Sequence, residues 1–507
     1  MAPLLDATAD EAADLERLAH VRPPAWTNPT PAPVYDLVVL GGGTAGLVCA
    51  MGAAGLGARV ALVERHLLGG DCLNTGCVPS KALIRSARVV GEWQRGPALG
   101  VTAAEVRVDF AGVMARVRAR RAVVAAHDAA ERLRGAGVDV FFGDAGFVDR
   151  RSVGVADRRL RFRRAVIATG SRPAVPPIEG LDTVPLLTNE SIFELREQPR
   201  RLLVIGAGPI GCELGQAFAR LGSSVTLIDQ ADRLLPRDDP DAATILARHL
   251  RRDGVQLELG VRVERAESDA GAVRLTLSGG QADAGRTCVL HGDALLVAAG
   301  RVPNVDGLDL DAAGVRAGRS GVDVDDRLQS SNPRVYASGD VCSDFKFTHA
   351  ADALSRLVLQ NALFFGRRSA RALVIPWVTY TDPEVAHVGV TSGEASRSAG
   401  RLDTITVPLS EIDRAIVDDE TDGFVRVHHE KGRLRGCTIV APRAGDMIGE
   451  AVYVLTHGGS LAALSGTVHP YPTASEALRI AGDVYRRQAL TPRVRRWLTR
   501  YFTWTRG

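Results

Sequence analysis

No apolar run in this sequence reaches the roughly 18 residues that a membrane-spanning helix needs, so we expect no bilayer-crossing segment. The N-terminus is acidic and lacks the basic-then-apolar order of a secretory signal, which points to a cytoplasmic protein. Charge is nearly balanced, at +3 over 507 residues, so nothing global calls for a nucleic-acid partner. Cysteine is scarce and odd in number, seven in all, which argues against a structural disulfide framework. Cys49, Cys212, Cys288, Cys342 and Cys437 are scattered and read as small buried hydrophobes. Cys72 and Cys77 stand apart from them. No second C-x-x-C and no histidine cluster accompanies that pair, so a tetrahedral zinc site is short of ligands.

What is present is glycine, 53 residues of it, clustered after apolar runs. The length is too great for one core and implies about three domains. Residues 9–20 (ADEAADLERLAH) fit one amphipathic turn and helix. RPPAWTNPTPAP follows, with five prolines in twelve residues, and reads as a stiff linker and not a packed element. The folded body is then expected to begin near Val34.

Two segments repeat one pattern. YDLVVLGGGTAGLVCAMGAAGLGARVALVER starts at Tyr35 and RLLVIGAGPIGCELGQAFARLGSSVTLIDQ at Arg201. Each reads as apolar strand, Gly-rich turn, small-residue helix, second apolar strand and terminal acid. That is the β-α-β unit of a doubly wound dinucleotide-binding domain. Gly41, Gly43 and Gly46 form G-x-G-x-x-G in the first, with Glu64 closing its second strand. Gly206, Gly208 and Gly211 repeat it in the second, with Asp229 at the equivalent place. The glycines permit the tight turn, the approach of backbone to a pyrophosphate and close helix–strand packing. The helix N-terminus favours the phosphates. An acid at this position accepts bonds from a ribose and repels a 2′-phosphate, so Asp229 favours NADH over NADPH. Two such sites suit hydride transfer from a nicotinamide to a bound flavin. VIATGSRP, with Thr169 and Gly170, and RVYASGDV, with Asp340, add further strand-end turns. After about Arg371 the pattern changes: FVRVHHEKGRLRGCTIVA alternates like antiparallel strands, which predicts a third, α+β domain.

GGDCLNTGCVPSKALIR places four residues between Cys72 and Cys77. Cα atoms so spaced on a regular helix lie outside the roughly 4.4–6.8 Å range for a disulfide. The chain must therefore be irregular there, and Gly76 and Pro79 supply the irregularity. A helix start also favours thiolate.

This motif resembles the redox segment of the class I pyridine nucleotide–disulfide oxidoreductases. Both fingerprints, the cysteine motif, GRVPN at Gly300 and ASGD at Ala337 occur in family order, from about Tyr35 to Leu490. The resemblance implies an FAD-dependent α/β enzyme with two doubly wound domains and a C-terminal α+β dimerisation domain. It also implies FAD at the first site, with Gly70, Thr169, Gly170, Gly300, Asp340 and His349 among the cofactor residues, and NAD(P)H at the second. An obligate homodimer is implied. By the same resemblance Cys77 would be the thiolate against the flavin and Cys72 the exchange thiol. Lys81 lies by the flavin and pairs with Glu213. On this reading, residues 1–33 are an extension, and 34–175 and 301–371 form the FAD domain. The NAD(P) domain is 176–300, the dimerisation domain 372–490, and 491–507 a basic aromatic tail.

Disulfide reductases of this family carry a His-x-x-x-x-Glu dyad near the C-terminus. Here the segment reads HPYPTASE. Aligned on Pro472 and Glu476, Tyr471 takes the histidine's place, and His469 lies two residues earlier. A tyrosine near pKa 10 is a poor base at neutral pH. Tyrosine there is similar to the mercuric-reductase branch, in which the cysteine pair ligates a soft metal ion. With Tyr471 in that place, the acceptor is read as a soft metal ion such as Hg(II) or a small electrophile; the extension carries no cysteine and no vicinal cysteine pair follows Cys437, which departs from that branch. The rival readings are a dihydrolipoamide-dehydrogenase-like disulfide oxidoreductase and a flavoprotein that senses NADH or redox state by binding a partner. The stretch from Arg486 to Gly507 holds seven arginines and no acid, interleaved with aromatics. It is read first as aromatics packed on the body or dimer partner, and second as a weak membrane-surface contact.

Overall fold

A computed structural model describes residues 9–102, 105–269, 271–279, 288–398 and 400–507. The chain divides into two units: residues up to Gln230 together with Gly254–Leu373, and Ala231–Asp253 together with Val374–Gly507.

In the first unit, β1 (Tyr35–Leu40) and β2 (Val60–Glu64) flank helix α2 (Thr44–Gly55). Strand β3 (Val138–Phe142) joins beyond β2, while β4 (Arg158–Ile167) and β9 (Val335–Ala337) join beyond β1. The parallel strands run in the order β3-β2-β1-β4-β9, and the first half of β4 continues into an antiparallel pair of strands, Ser152–Val155 and Ala145–Asp149. Along β1, Leu37 and Val39 enter one core with Cys49 and Val358, and Val38 and Leu40 enter another with Val63 and Ile167. A sheet buried on both faces needs such an unbroken apolar run. The second fingerprint builds β5 (Arg201–Ile205), α6 (Pro209–Arg220) and β6 (Ser224–Asp229). With β7 (Val255–Leu259), β8 (Ala294–Val297) and Leu186–Leu187 these form a parallel sheet of order β7-β6-β5-β8 and the short strand.

The N-terminal extension departs from expectation. Residues Ala9–Val21 form helix α1, as the sequence over 9–20 predicts, but the proline-rich stretch that follows is packed and is no linker. The Trp26 indole N–H donates to the Val140 carbonyl at 3.2 Å, and its ring meets Phe142 edge-on at 5.9 Å. Asn28 donates to the Phe142 carbonyl at 2.9 Å and accepts from its N–H at 2.8 Å, so one amide side chain does what a paired strand would do for the edge of β3. Prolines suit this position because an edge-covering segment need not offer its own N–H groups. The folded unit therefore begins at α1 and not near Val34.

The second unit carries a five-stranded antiparallel sheet in which Trp377–Thr379 precedes β10 (Glu384–Gly389), followed in order by β13 (Arg433–Ala441), β12 (Phe424–Glu430) and β11 (Asp403–Pro408). The β12–β13 hairpin turns at Lys431 and Gly432, both with positive φ (50° and 84°), the handedness that matches strand twist. The helix Pro240–Arg252, read above into the 176–300 segment, makes its ion pairs within this unit: Asp241 with Arg426, and Arg248 and His249 with Asp422. The tail forms a helix, Pro492–Thr505, whose Trp497, Tyr501, Phe502 and Trp504 are all exposed, so they do not pack on their own chain. Of the five scattered cysteines, Cys49, Cys212 and Cys437 are buried as expected and Cys342 half-buried, but Cys288 is exposed. Among the described residues no helix is long and apolar enough to cross a membrane.

Candidate active site

Both glycine turns have the shape that a dinucleotide needs. Gly41 has φ +103°, and a Cβ there would lie 2.4 Å from the Ala168 carbonyl oxygen. A Cβ on Gly46 would lie 1.8 Å from the Gly41 oxygen, so only glycine lets α2 sit this close to the turn. The second site repeats the geometry: Gly206 has φ +113°, and a Cβ on Gly211 would lie 1.8 Å from the Gly206 oxygen. Gly43 and Gly208 are extended N-caps of their helices, with open approach at Gly208 and only Gly70 Cα, at 3.6 Å, beside Gly43. Gly70, at φ +57°, lies against Gly43 so closely that its own Cβ would be 2.6 Å from Gly43 Cα. The two strand-end acids are also equivalent. Glu64 Oε2 accepts from Gly42 N at 2.6 Å, and Asp229 Oδ2 accepts from Ala207 N at 2.6 Å. Each acid thus braces its own glycine turn. These cradles fit a dinucleotide at both places, with helix N-termini to receive phosphates.

The cysteine segment is two helices with a break. Helix α3 (Gly70–Asn74) ends before Thr75 and Gly76, whose dihedrals leave the helical region, and α4 (Cys77–Arg95) starts at Cys77 itself. Gly76 thus supplies the irregularity. Pro79 does not: it lies in the first turn of α4, where a missing N–H costs nothing. All seven cysteines are free, and the Cys72 and Cys77 thiols hydrogen-bond to each other. That bond, received by Cys77, lowers its pKa to about 6 against the cost of desolvation, with help from Thr348 and the Lys81 charge. Cys72 is pushed up by the same bond and by burial. Thr348 Oγ1 lies 3.3 Å from Cys77 Sγ, at the start of α7 (Thr348–Leu363). Lys81 Nζ lies 2.7 Å from Glu213 Oε2, joining α4 to α6.

Around this pair the loop residues are pinned. Asp71 accepts from Thr75 Oγ1 at 2.6 Å and Asn189 Nδ2 at 2.9 Å, and pairs with Arg301 at 2.9 Å. Arg301 also donates to Ser171 Oγ at 2.7 Å, and that hydroxyl donates to Asp340 Oδ2 at 2.6 Å. Thr169 Oγ1 donates to the Asn304 carbonyl at 2.6 Å, Gly170 has φ +69° and Gly300 φ +117°. His349 stacks on Phe347 with ring centroids 5.5 Å apart. Thr348, Arg301, Asp71 and Asn189 were not foreseen. Arg301 and Asp71 sit inside motifs read from the sequence, and Thr348 precedes His349; Asn189 carries no local signal.

At the C-terminal end His469, Tyr471 and Glu476 each take a different hydrogen-bond partner. His469 is not joined to Glu476. Its Nε2 meets Glu450 at 2.9 Å and its Nδ1 faces the Thr467 carbonyl at 3.2 Å, with the side chain only 7% exposed. Glu476 is an ion pair with Arg479. Tyr471 is 71% exposed, and its hydroxyl donates to Asp413 Oδ2 at 3.0 Å. That hydrogen bond and the Asp413 charge raise the phenol above its ordinary pKa.

Residues 35–355 match the pyridine nucleotide-disulphide oxidoreductase family, and residues 375–481 match its dimerisation domain. A mercuric reductase from Staphylococcus aureus is 35% identical over 457 residues, covering 88% of this chain and 82% of that protein. A dihydrolipoyl dehydrogenase from Thermus scotoductus is 34% identical over 469 residues, covering 90% of this chain and 98% of that protein. Among solved structures, the Cu(II) complex of the HOCl-induced flavoprotein disulfide reductase RclA from Escherichia coli has a TM-score of 0.78 at 29% identity, over 88% of this chain and 98% of that one.

Proposed function

We propose, from the premise that this chain belongs to the pyridine nucleotide-disulphide oxidoreductase family, that it passes electrons from NAD(P)H to a soft metal ion such as Hg(II), or a small electrophile, through the Cys72–Cys77 dithiol. The family is FAD-dependent, and FAD, when bound, supplies the two-electron relay between the nicotinamide and the sulfur pair. With a dimerisation domain in place, the working unit is a homodimer.

The observation that carries this reading is Tyr471. Reducing a disulfide substrate requires a proton for the departing thiolate. Tyr471 stands where the family's disulfide reductases place a histidine, and its pKa is raised by Asp413. His469 is already engaged by Glu450. A soft cation held by two sulfurs needs no proton delivered to sulfur; ligation instead releases the one on Cys72. The mercuric reductase relatives and the Cu(II)-bound neighbour support a metal acceptor. Steady-state NADH oxidation with Hg(II), Cu(II), lipoamide and glutathione disulfide tests it. We expect at least tenfold more turnover with a soft cation than with lipoamide, and Tyr471→His to narrow that gap by restoring a base near neutral pH. Lipoamide turnover equal to the metal rate would sink the metal reading in favour of the dihydrolipoamide-dehydrogenase-like one, which relatives of 34% identity support. Turnover with any acceptor at roughly 1–10³ per second would dispose of a purely sensory role.

The same assay run with both nicotinamides tests cofactor choice. Asp229 ends β6, where it meets the ribose in a site of this kind. Arg233 donates to the carbonyl of Pro236 in its own loop at 2.7 Å. NADH is therefore the expected donor, with Asp229→Ala relaxing the preference. Strong preference for NADPH in the unaltered protein would overturn this.

For the tail helix we propose, as a second reading beside packing on a partner subunit, a weak contact with an anionic membrane surface. Trp497 and Tyr501 stack in parallel at 5.9 Å on its exposed face, beside the arginines. Each arginine near such a surface contributes about 1 kcal/mol, screened by salt. Sedimentation with anionic and neutral vesicles should show salt-sensitive binding to the anionic ones alone, lost on truncation after Ala489. Equal, negligible binding with and without the tail would leave the helix as ordinary packing, and loss of the dimer on truncation would assign it to packing between subunits.

A further inference from the structure

Helix α1 precedes the residues that match the family, yet it reaches the redox segment directly. Ala13, Arg17 and Val21 recur every four residues on one helix face, and all three are buried. Val21 joins the core with Leu68 and Leu73, and its carbonyl accepts from Leu68 N at 3.1 Å. Arg22 donates to the carbonyls of Arg65 and His66 at 2.5 and 2.7 Å. The end of α1 is thus tied to the loop that leads into α3.

Arg17 points at α3 itself. Its Nη1 donates to Asn74 Oδ1 at 2.9 Å. Arg121, fully buried on α5 (Phe110–Ala125), donates to the Asn74 carbonyl at 3.0 Å and to Glu194 Oε1 at 2.6 Å. Asp14 lies 3.3 Å from Arg17 and 3.5 Å from Arg121. Two buried guanidiniums and two carboxylates therefore close around one amide. Asn74 spends its own Nδ2 on the carbonyls of Leu68 and Gly70, at 3.0 and 2.9 Å. It is the last residue of α3, two positions after Cys72. Burying two like charges is unfavourable unless their geometry is closely satisfied, and Arg17 Nε, Arg121 Nε and Arg121 Nη2 find no hydrogen-bond partner among the described residues, so these charges are held on Asn74 at a cost that apolar docking does not carry.

We propose that Arg17 is a positioning residue for the redox couple: through Asn74 it holds the end of α3 so that the Cys72 sulfur stays against Cys77. This rests on the reading that the pair cycles. Reduction breaks the S–S bond, takes two electrons from NAD(P)H by way of the family's flavin, and consumes one proton to leave a Cys72 thiol and a Cys77 thiolate. The nicotinamide releases that proton as it is oxidised. Forming the disulfide needs the two sulfurs in a narrow geometry, and the dithiol does not. Loosening α3 therefore favours the dithiol and frees the Cys72 thiol.

The test uses the full-length holoenzyme. NADH reduction should first expose two thiols per chain in the unaltered protein; if none appear, the cycling reading falls and this proposal with it. Arg17→Met is then expected to shift the equilibrium against a dithiol buffer about tenfold toward the dithiol, ~30 mV more positive. Cys72 alkylation should accelerate by a similar factor. Arg17→Lys should lie near the unaltered protein, because it keeps a donor for Asn74. Flavin content and the rate of nicotinamide-dependent flavin reduction should stay within twofold. An unchanged equilibrium in Arg17→Met, or a parallel loss of flavin and both half-reactions, would overturn the proposal. Should Arg17→Met not fold, Asp14→Asn serves in its place. It keeps the volume and unbalances the arginines, and a shift of about threefold in the same direction is required of it.

Discussion

Cys72→Ser is expected to lose turnover by about 10³-fold or more, as removal of a reacting side chain does, yet to keep the long-wavelength absorption that a thiolate makes against a bound flavin. Cys77→Ser is expected to lose both. The asymmetry follows from where the two sulfurs sit. Cys77 opens α4, where the helix end favours an anion, and it receives the hydrogen bond from Cys72, is assisted by Thr348 and faces the Lys81 charge. Cys72 carries the proton. The thiolate is the basic form, so in the two-electron-reduced enzyme the band should grow as pH rises through about 6 and persist above it. Cys72→Ala removes the largest stabiliser of that thiolate and should move the midpoint upward; Cys72→Ser retains a hydroxyl donor and should move it less. A band that survives in Cys77→Ser and vanishes in Cys72→Ser would exchange the two roles.

The second large effect comes from the smallest substitution. Gly46→Ala and Gly211→Ala each place a carbon 1.8 Å from a carbonyl oxygen of the same turn, and backbone on both sides leaves no flexible side chain to yield. Relief requires the helix to move off the strand, an overpacking cost of about 1–3 kcal/mol or more. The two variants should fail differently. Gly46→Ala disturbs the turn at the end of β1, within the apolar core of the first sheet, and should yield protein with little flavin and a lowered Tm. Gly211→Ala should keep its flavin, because the disturbed turn belongs to the second site, while KM for NADH rises by at least tenfold. Flavin content and Tm, read beside KM, separate the outcomes. Loss of flavin from Gly211→Ala with normal NADH binding would show that the two sites are assigned the wrong way round.

The parts legible beforehand share a property. Each fingerprint is closed within about thirty residues, so strand, turn, helix and acid meet through local spacing alone. The glycine positions follow from turn geometry, and Glu64 and Asp229 lie at strand ends in the expected places. Cys72, Cys77 and Lys81 belong to one short segment, and the alternation over 424–441 fixes a hairpin without help from elsewhere. Here the residue types carry the chemistry themselves: a thiol, a positive φ, an alternating apolar face.

The unread parts are contacts whose partners lie far apart in the chain and have no pattern of their own. Cys77 meets Thr348 across 271 positions, and Asn74 meets Arg17 across 57. Nothing about an arginine in an amphipathic helix distinguishes a solvated charge from a buried one, because the difference is made by what the fold packs over it. The proline-rich segment looked like linker because prolines cannot pair in a sheet, but edge cover needs only an indole and an amide, and Trp26 and Asn28 provide them. His469 illustrates the same division. Its identity and neighbourhood were plain, while its partner, Glu450 in place of Glu476, depends on which acid the folded unit carries to within hydrogen-bond reach. The glycine turns and the sulfur pair could be read from the chain alone, since short spacing and residue chemistry suffice for them. Which side chains hold that pair in place, and which histidine and tyrosine atoms remain available to a substrate, was decided only by the tertiary structure, because burial and pairing are properties of the closed chain.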